Sequence, residues 1–366
     1  MTRASLLLLL LFSVLQTERM EAPLSPDVWR TDLSKHSIDL SELRAEGPAK
    51  DGIPALHRPH FQSLSEAEKW LAPGEPVIVV EHAGEVRAYP LQILLWHELV
   101  NDQIGALPVL VSYCPLCNSA VVFDRSVNGT AHSFGVAGFL RHNDMVMYDQ
   151  QTDSLWQQLT GEGIVGTHTG QRLTPVTSRV ITFSAFQAAY SSGKVLSRQT
   201  GYFPRYGEST YTGYEFGNMP RGSAASPLRS GEKLERVLMV ENGGNRRAYR
   251  FRFLKSLGVA EDRLGDLNYV IFYEPEGLTP LDAKTIAESR SVGTAAAYLT
   301  TLNGERLRFR RKNGKLIDRA TGSVWSVTGI ATDGPLKGTR LKPVTQMVGF
   351  EFAVRHFYPK AELVGR

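Results

Sequence analysis

Cys114 and Cys117 are the only cysteines in 366 residues, and they stand together in Tyr113-Cys114-Pro115-Leu116-Cys117. The thiolate is the form that attacks disulfides and binds soft metals. Two thiols at this spacing can close into a small disulfide ring or grip one ion from two sides. A bridge that only closed so small a loop would contribute roughly 2 kcal/mol, less than the ~3 kcal/mol of a 15-residue loop, so a mere staple explains the pair poorly. For thiol–disulfide exchange, Cys114 is the expected attacker and Cys117 the resolving thiol, with His97, Arg125 or Arg141 as the cation that lowers the attacker's pKa. For a metal, the expected set is Cys114, Cys117 and His97, with His142 or Glu98 fourth, a donor set that suits zinc or copper. A dimer sharing four thiols is a variant of that set. A non-catalytic binding or structural domain is the third reading. The sequence fixes no cofactor. No Ser-His-Asp arrangement, phosphate loop or dinucleotide motif stands out.

The segments that must position these residues are short and β-branched or aromatic: 77–80, 109–113, 120–123, 237–240 and 270–273. Turn pairs such as Asn128-Gly129, Asn303-Gly304 and Asn313-Gly314 punctuate them, so they read as strands and hairpins. Arg306, Arg308, Arg310, Arg311 and Lys312 alternate with Leu307 and Phe309, a strand with one wet face. Leu91, Leu94, Leu95 and Leu99 give a helical stripe over 90–101, and further helices are expected at 184–190 and 351–356. A thioredoxin arrangement is not expected: there the pair opens a helix, whereas Ser119-Ala120-Val121-Val122-Phe123 continues as a strand.

The chain also repeats itself. Residues 77–89 match 237–249, and Val111-Ser112-Tyr113 matches Ile271-Phe272-Tyr273, both at an offset of 160. Asp149, Thr152, Ser154 and Trp156 recur as Asp318, Thr321, Ser323 and Trp325. The expected fold is therefore mainly β, a β-rich α+β protein made by tandem duplication of a β-rich domain with a few short helices. The expected division is a signal peptide at 1–22, an extension at 23–76, a first domain at 77–196, a Gly/Tyr-rich linker at 197–233 that packs across a domain face, and a second, degenerate domain at 234–366.

Residues kept in both copies serve the shared fold; residues found in one point to a site. Cys114 faces Glu274, Cys117 faces Gly277, and Trp96-His97-Glu98 faces Ser256-Leu257-Gly258. The first copy also carries about six extra residues within 135–144, read as an inserted loop with glycines, Arg141, His142 and an acid, Asp144. Loops are where functional groups concentrate. The candidate catalytic set is Cys114, Cys117, His97, Glu98 and Arg141. His57 and His60 read as exposed loop residues.

Lys plus Arg number 41 against 37 Asp plus Glu, a near-balance that argues against a nucleic-acid partner. The N-terminus places Arg3 before the apolar run 6–15, which has the size of a signal-peptide core and falls short of the ~20 residues of a membrane span. An exported protein, periplasmic or extracellular, is expected, with no span in the mature chain; an uncleaved N-terminal anchor is the alternative. The partner expected is a protein or small molecule carrying a thiol or disulfide, which would make the protein a thiol–disulfide oxidoreductase.

Several motifs together resemble the exported bacterial family catalogued as domain of unknown function 3179. They are Asp51-Gly52-Ile53-Pro54-Ala55, Trp96-His97-Glu98-Leu99-Val100-Asn101-Asp102, Tyr113 to Ala120 with Phe123-Asp124-Arg125, and Met147-Tyr148-Asp149 with Ser154-Leu155-Trp156. The resemblance runs from about Trp29 to Val364. It implies no settled activity. Selenocysteine in this motif in some members implies redox chemistry, since selenium at a cysteine position marks a nucleophile. Asn118 stands where glycine is common in the family, and His57 where an acid is common.

Overall fold

A computed structural model of the chain describes residues 24, 25, 27–217 and 234–365. The expected signal peptide at 1–22, and 218–233 of the expected linker, lie outside the described residues. The fold is β-rich, with helices of no more than seven residues among those described. None is long and apolar enough to cross a membrane.

Two stretches follow the same course at an offset of 160. In the first, Pro76–His82 pairs with Glu85–Pro90, the helix Leu91–His97 follows, and Leu99–Ile104 pairs with Leu107–Cys114. In the second, Arg236–Asn242 pairs with Asn245–Arg250, the helix Phe251–Leu257 follows, and Val259–Leu264 pairs with Leu267–Glu274. The registers agree: Val77 opposes Pro90 as Val237 opposes Arg250.

A shared turn comes next. Asp149 accepts from the Thr152 N–H at 2.8 Å and from Trp156 Nε1 at 3.0 Å. Asp318 accepts in the same way from Thr321 and from Trp325 Nε1, at 3.1 Å. The Asp-x-x-Thr-x-Ser-x-Trp pattern thus caps a turn while a buried carboxylate satisfies the indole N–H of a buried tryptophan.

One sheet takes strands from both stretches, while Pro76–His82 with Glu85–Pro90, and Val259–Leu264 with Leu267–Glu274, lie in sheets of their own. Ala120 of Ser119–Asp124 pairs with Val348 of Gln346–Phe350, which continues into Arg236–Asn242. The apolar cluster holding Cys114, Cys117, Met145, Met147 and Trp156 also takes in Val237, Met239, Met347 and Val354. The thiols therefore sit where the two stretches meet.

Two expectations need correction. The helix expected over 90–101 stops at His97, because Glu98 takes φ 55° and Leu99 already belongs to a strand. The apolar stripe mixes helix residues with the first residue of a strand buried on both faces. The expected insert at 135–144 is a lengthened hairpin instead of a loop. Phe134–Arg141 and Asp144–Asp149 hold eight and six residues, against four each in Phe309–Lys312 and Lys315–Asp318. Its register shifts between Val136 and Leu140, where Gly138 has φ 81°, and it turns through His142 and Asn143 at φ 50° and 64°. A two-residue turn with both residues left-handed suits the twist of a hairpin.

Candidate functional site

The cysteines occupy a hairpin tip. Cys114 ends one strand and pairs with Ser119, leaving 115–118 as the turn. The turn is pinned from several sides. The Asn118 N–H donates to Pro115 O at 3.1 Å, the Phe350 N–H to Cys117 O at 2.8 Å, and the Tyr214 hydroxyl to Leu116 O at 2.8 Å. Asn118 has φ 46°, a region that glycine and asparagine enter most readily, which accounts for either residue at this place. Its Oδ1 accepts from the Tyr113 hydroxyl at 3.0 Å. Both thiols are free and buried, and the two cysteines lie 4.1 Å apart.

The lengthened hairpin lays its tip over them. The Asn143 carbonyl lies 3.2 Å from the Cys117 sulfur and 3.8 Å from that of Cys114. Asp144, fully buried, follows at once. Its Oδ2 accepts from Gln157 Nε2 at 2.6 Å and from the Leu159 N–H at 2.9 Å, whereas its Oδ1 is buried with no nitrogen or hydroxyl donor among the described residues and only the two thiols beside it. One ligand atom each from Cys114, Cys117 and Asp144 lie within 4.8 Å of one another. The six extra residues carry the hairpin far enough to deliver this carboxylate. At its root, Asn101 clamps Phe134, accepting from its N–H at 2.7 Å and donating to its carbonyl at 2.8 Å.

Glu98 is the second buried acid, 5% exposed. Burial, reinforced by the charge of Asp144, pushes its pKa up to about 8. Burial likewise raises that of Asp144 to about 6, against the pull of the Leu159 N–H, Gln157 and the two thiols. Both thiols are pushed up, first by burial; Asp144 adds to the rise at each, and Glu98 at Cys114. None of the expected cations is among the main influences on either thiol. Arg125 is spent on the carbonyls of Asp102 and His132, and Arg141 is paired with Glu42 at 2.8 Å.

The remaining sequence candidates take other places. Arg141 reaches the site indirectly, donating to Gln157 Oε1 at 3.3 Å behind Asp144. His142 bonds Glu42 at 2.9 Å and stacks on His356 at 3.6 Å between ring centres. His97 donates from Nδ1 to Pro54 O at 2.7 Å and accepts at Nε2 from the Tyr206 hydroxyl; burial lowers its pKa. In the thiol group, Asp144 fills the place expected for His97. His97 instead helps line a cavity of about 550 Å³ with Trp96, Tyr202, Phe203 and Tyr211. Tyr211, whose phenol is pushed up first by burial and then by the charges of Glu98 and Cys114, lines the same cavity. The tyrosines of 197–217 thus cover the first stretch, with Tyr206 on His97 and Tyr214 on the cysteine turn. His57 and His60 are exposed.

Asp144 was visible in sequence as the acid of the insert, but nothing there marked its free oxygen. Gln157, which holds it, is absent from the second stretch, where Ser326 follows Trp325; the same subtraction that found the cysteines reaches it.

Two thiols and an oriented carboxylate, walled off from water, define a β-rich protein with a buried dithiol–carboxylate site. The family model described as "Protein of unknown function (DUF3179)" matches residues 50–361, and the chain belongs to that family. No curated protein and no solved structure matches it.

Proposed function

We propose that the protein binds a soft or borderline metal ion, zinc or copper, through Cys114, Cys117 and Asp144. The observation that carries this reading is the Oδ1 of Asp144, buried with only two free thiols, weak donors, to face it among the described residues. A buried acceptor left unpaired is costly, and a cation satisfies it while stabilising both thiolates. Tetrahedral zinc with sulfur at ~2.3 Å sets its sulfurs roughly 3.8 Å apart, close to the 4.1 Å separation seen. Gln157 and Leu159 orient the carboxylate from behind, and Arg141 supports Gln157, as outer-shell groups do in metal sites. The reading of 1–22 as a signal peptide places the protein outside the cytoplasm, where neighbouring thiols oxidise unless something holds them. We take the residues from 77 and from 234 as two halves related by duplication, the second bracing the first.

A redox role for the same pair is the second reading, favoured by the nearness of the thiols and by Asp144 beside Cys117, a carboxylate able to accept a thiol proton. Two thiols would give two protons and two electrons to a partner disulfide and close on each other. Elemental analysis and thiol counting on protein purified without chelator decide between them. One equivalent of metal that disappears in Cys114→Ser supports the metal site. Metal-free protein whose disulfide cycles with mild reductant supports exchange and defeats the metal reading.

A further inference from the structure

A second group of buried ligand-type side chains lies apart from the thiols. We propose that His132, His168 and Asp149 form a separate metal site, which takes a divalent first-row transition ion such as zinc. One ligand atom from each lies within 4.8 Å of the others. His132 Nδ1 is 3.3 Å from Asp149 Oδ1, and the two imidazoles meet edge to face at 5.3 Å. His132 and His168 are 7% and 6% exposed, and Asp149 is fully buried.

His168 supplies the independent observation. Both of its ring nitrogens are buried with no hydrogen-bond partner among the described residues. A neutral imidazole carries one donor and one acceptor, and leaving both unpaired in the interior costs free energy. An ion bound at one nitrogen removes part of that cost. Imidazole and carboxylate together suit zinc and its first-row neighbours. Three protein ligands leave a coordination position open, as zinc sites that keep a water do.

The second stretch provides an internal control. The His132 N–H bonds Arg125 O, and the Leu307 N–H bonds Thr300 O, both at 2.9 Å; the offset is 175 in donor and acceptor alike. The His168 N–H donates to Ser154 Oγ at 3.2 Å, and the Leu336 N–H to Ser323 Oγ at 2.9 Å, at offsets of 168 and 169. Leucines thus hold the places of both histidines around the turn of Asp318. That turn keeps its aspartate, threonine, serine and tryptophan without them. The fold needs no imidazole at either position, so the histidines answer to something other than the turn.

The test uses the full chain carrying Cys114→Ser and Cys117→Ser, dialysed against chelator and titrated with Zn²⁺ by calorimetry. A single equivalent bound, and lost when His168→Leu or His132→Leu is added, supports the site. The leucines at 307 and 336 indicate that these variants fold, which circular dichroism checks; His168→Gln carries the same test if a leucine variant does not. No zinc bound by the double-serine chain, or binding unchanged by the histidine variants, overturns the proposal. Because the thiols are absent throughout, failure here is distinct from failure of the dithiol reading, which the wild-type chain tests.

Discussion

Glu98 holds the backbone position that Gly258 holds 160 residues later: each caps a seven-residue helix with a positive φ, 55° and 72°. Glycine adopts this conformation freely, whereas a side chain there costs roughly 1–2 kcal/mol. The first stretch bears that cost and gains a buried acid beside Cys114. Glu98→Gly should therefore stabilise the metal-free protein by about 1 kcal/mol or more, read as a higher urea midpoint with an unchanged slope. A lower midpoint would show that the carboxyl itself holds the structure together.

Glu98 and Asp144 should each make the metal-free protein lose stability as pH rises. Glu98 and Asp144 have folded pKa values of about 8 and about 6, above their ordinary values of 4.5 and 3.8. The folded state therefore binds more protons than the unfolded one between those limits. Each group's contribution is complete below its ordinary value and is lost as pH climbs through its folded value. The slope is at most ~1.4 kcal/mol per pH unit for each group. Unfolding measured from pH 4 to 9 checks this: Glu98→Gln should flatten the decline toward pH 8, and Asp144→Asn the decline toward pH 6.

Asp144→Asn keeps an oxygen for Gln157 and Leu159 but turns an amide toward the sulfurs. Zinc affinity should drop at least tenfold, of the order lost when a supporting group of a metal site is removed, with both thiols still titratable by a disulfide reagent in denaturant. Unchanged affinity would exclude the carboxylate as a ligand.

Arg141→Ala removes the group behind Gln157 without touching the sulfurs. Its effect should be smaller than that of Asp144→Asn, and Gln157→Ala should fall between the two. Competition with a colorimetric zinc chelator would rank the three, and any other order would break the chain Arg141–Gln157–Asp144.

Gly138 lies where a Cβ would meet the Pro48 carbonyl oxygen at 2.3 Å, with φ 81°. Gly138→Ala should shift the bulge and draw the hairpin tip away from the cysteines. The expected signature is faster thiol labelling together with a lower melting temperature.

Strands, turns and the short helices at 183–189 and 351–357 were legible because each obeys a local rule: alternation, Asn-Gly turns, or a 3.6-residue stripe. The end of the helix at His97 was not, because Leu99 continues the stripe while Glu98 leaves the helix through a positive φ that glutamate rarely adopts. Subtracting one stretch from the other found Cys114, Cys117 and Glu98, because their counterparts are chemically unlike them. It misread the six extra residues, since a longer hairpin and a loop look alike when glycines interrupt the alternation. The thiol environment was also illegible. Arg141 looks like a thiol-activating cation in sequence, and only the partner Glu42, far away in the chain, turns it elsewhere.

The bond from the Phe350 N–H to the Cys117 carbonyl has a consequence for biogenesis. Synthesis runs from the N-terminus, so the cysteine turn is made long before the strand Gln346–Phe350 that braces it from the other side. Until nearly the whole polypeptide has emerged, the thiols lack a complete wall and stay open to oxidants and to ion donors alike. On the metal reading, loading thus has its widest window before Gln346–Phe350 closes over the turn, and that strand works as the latch.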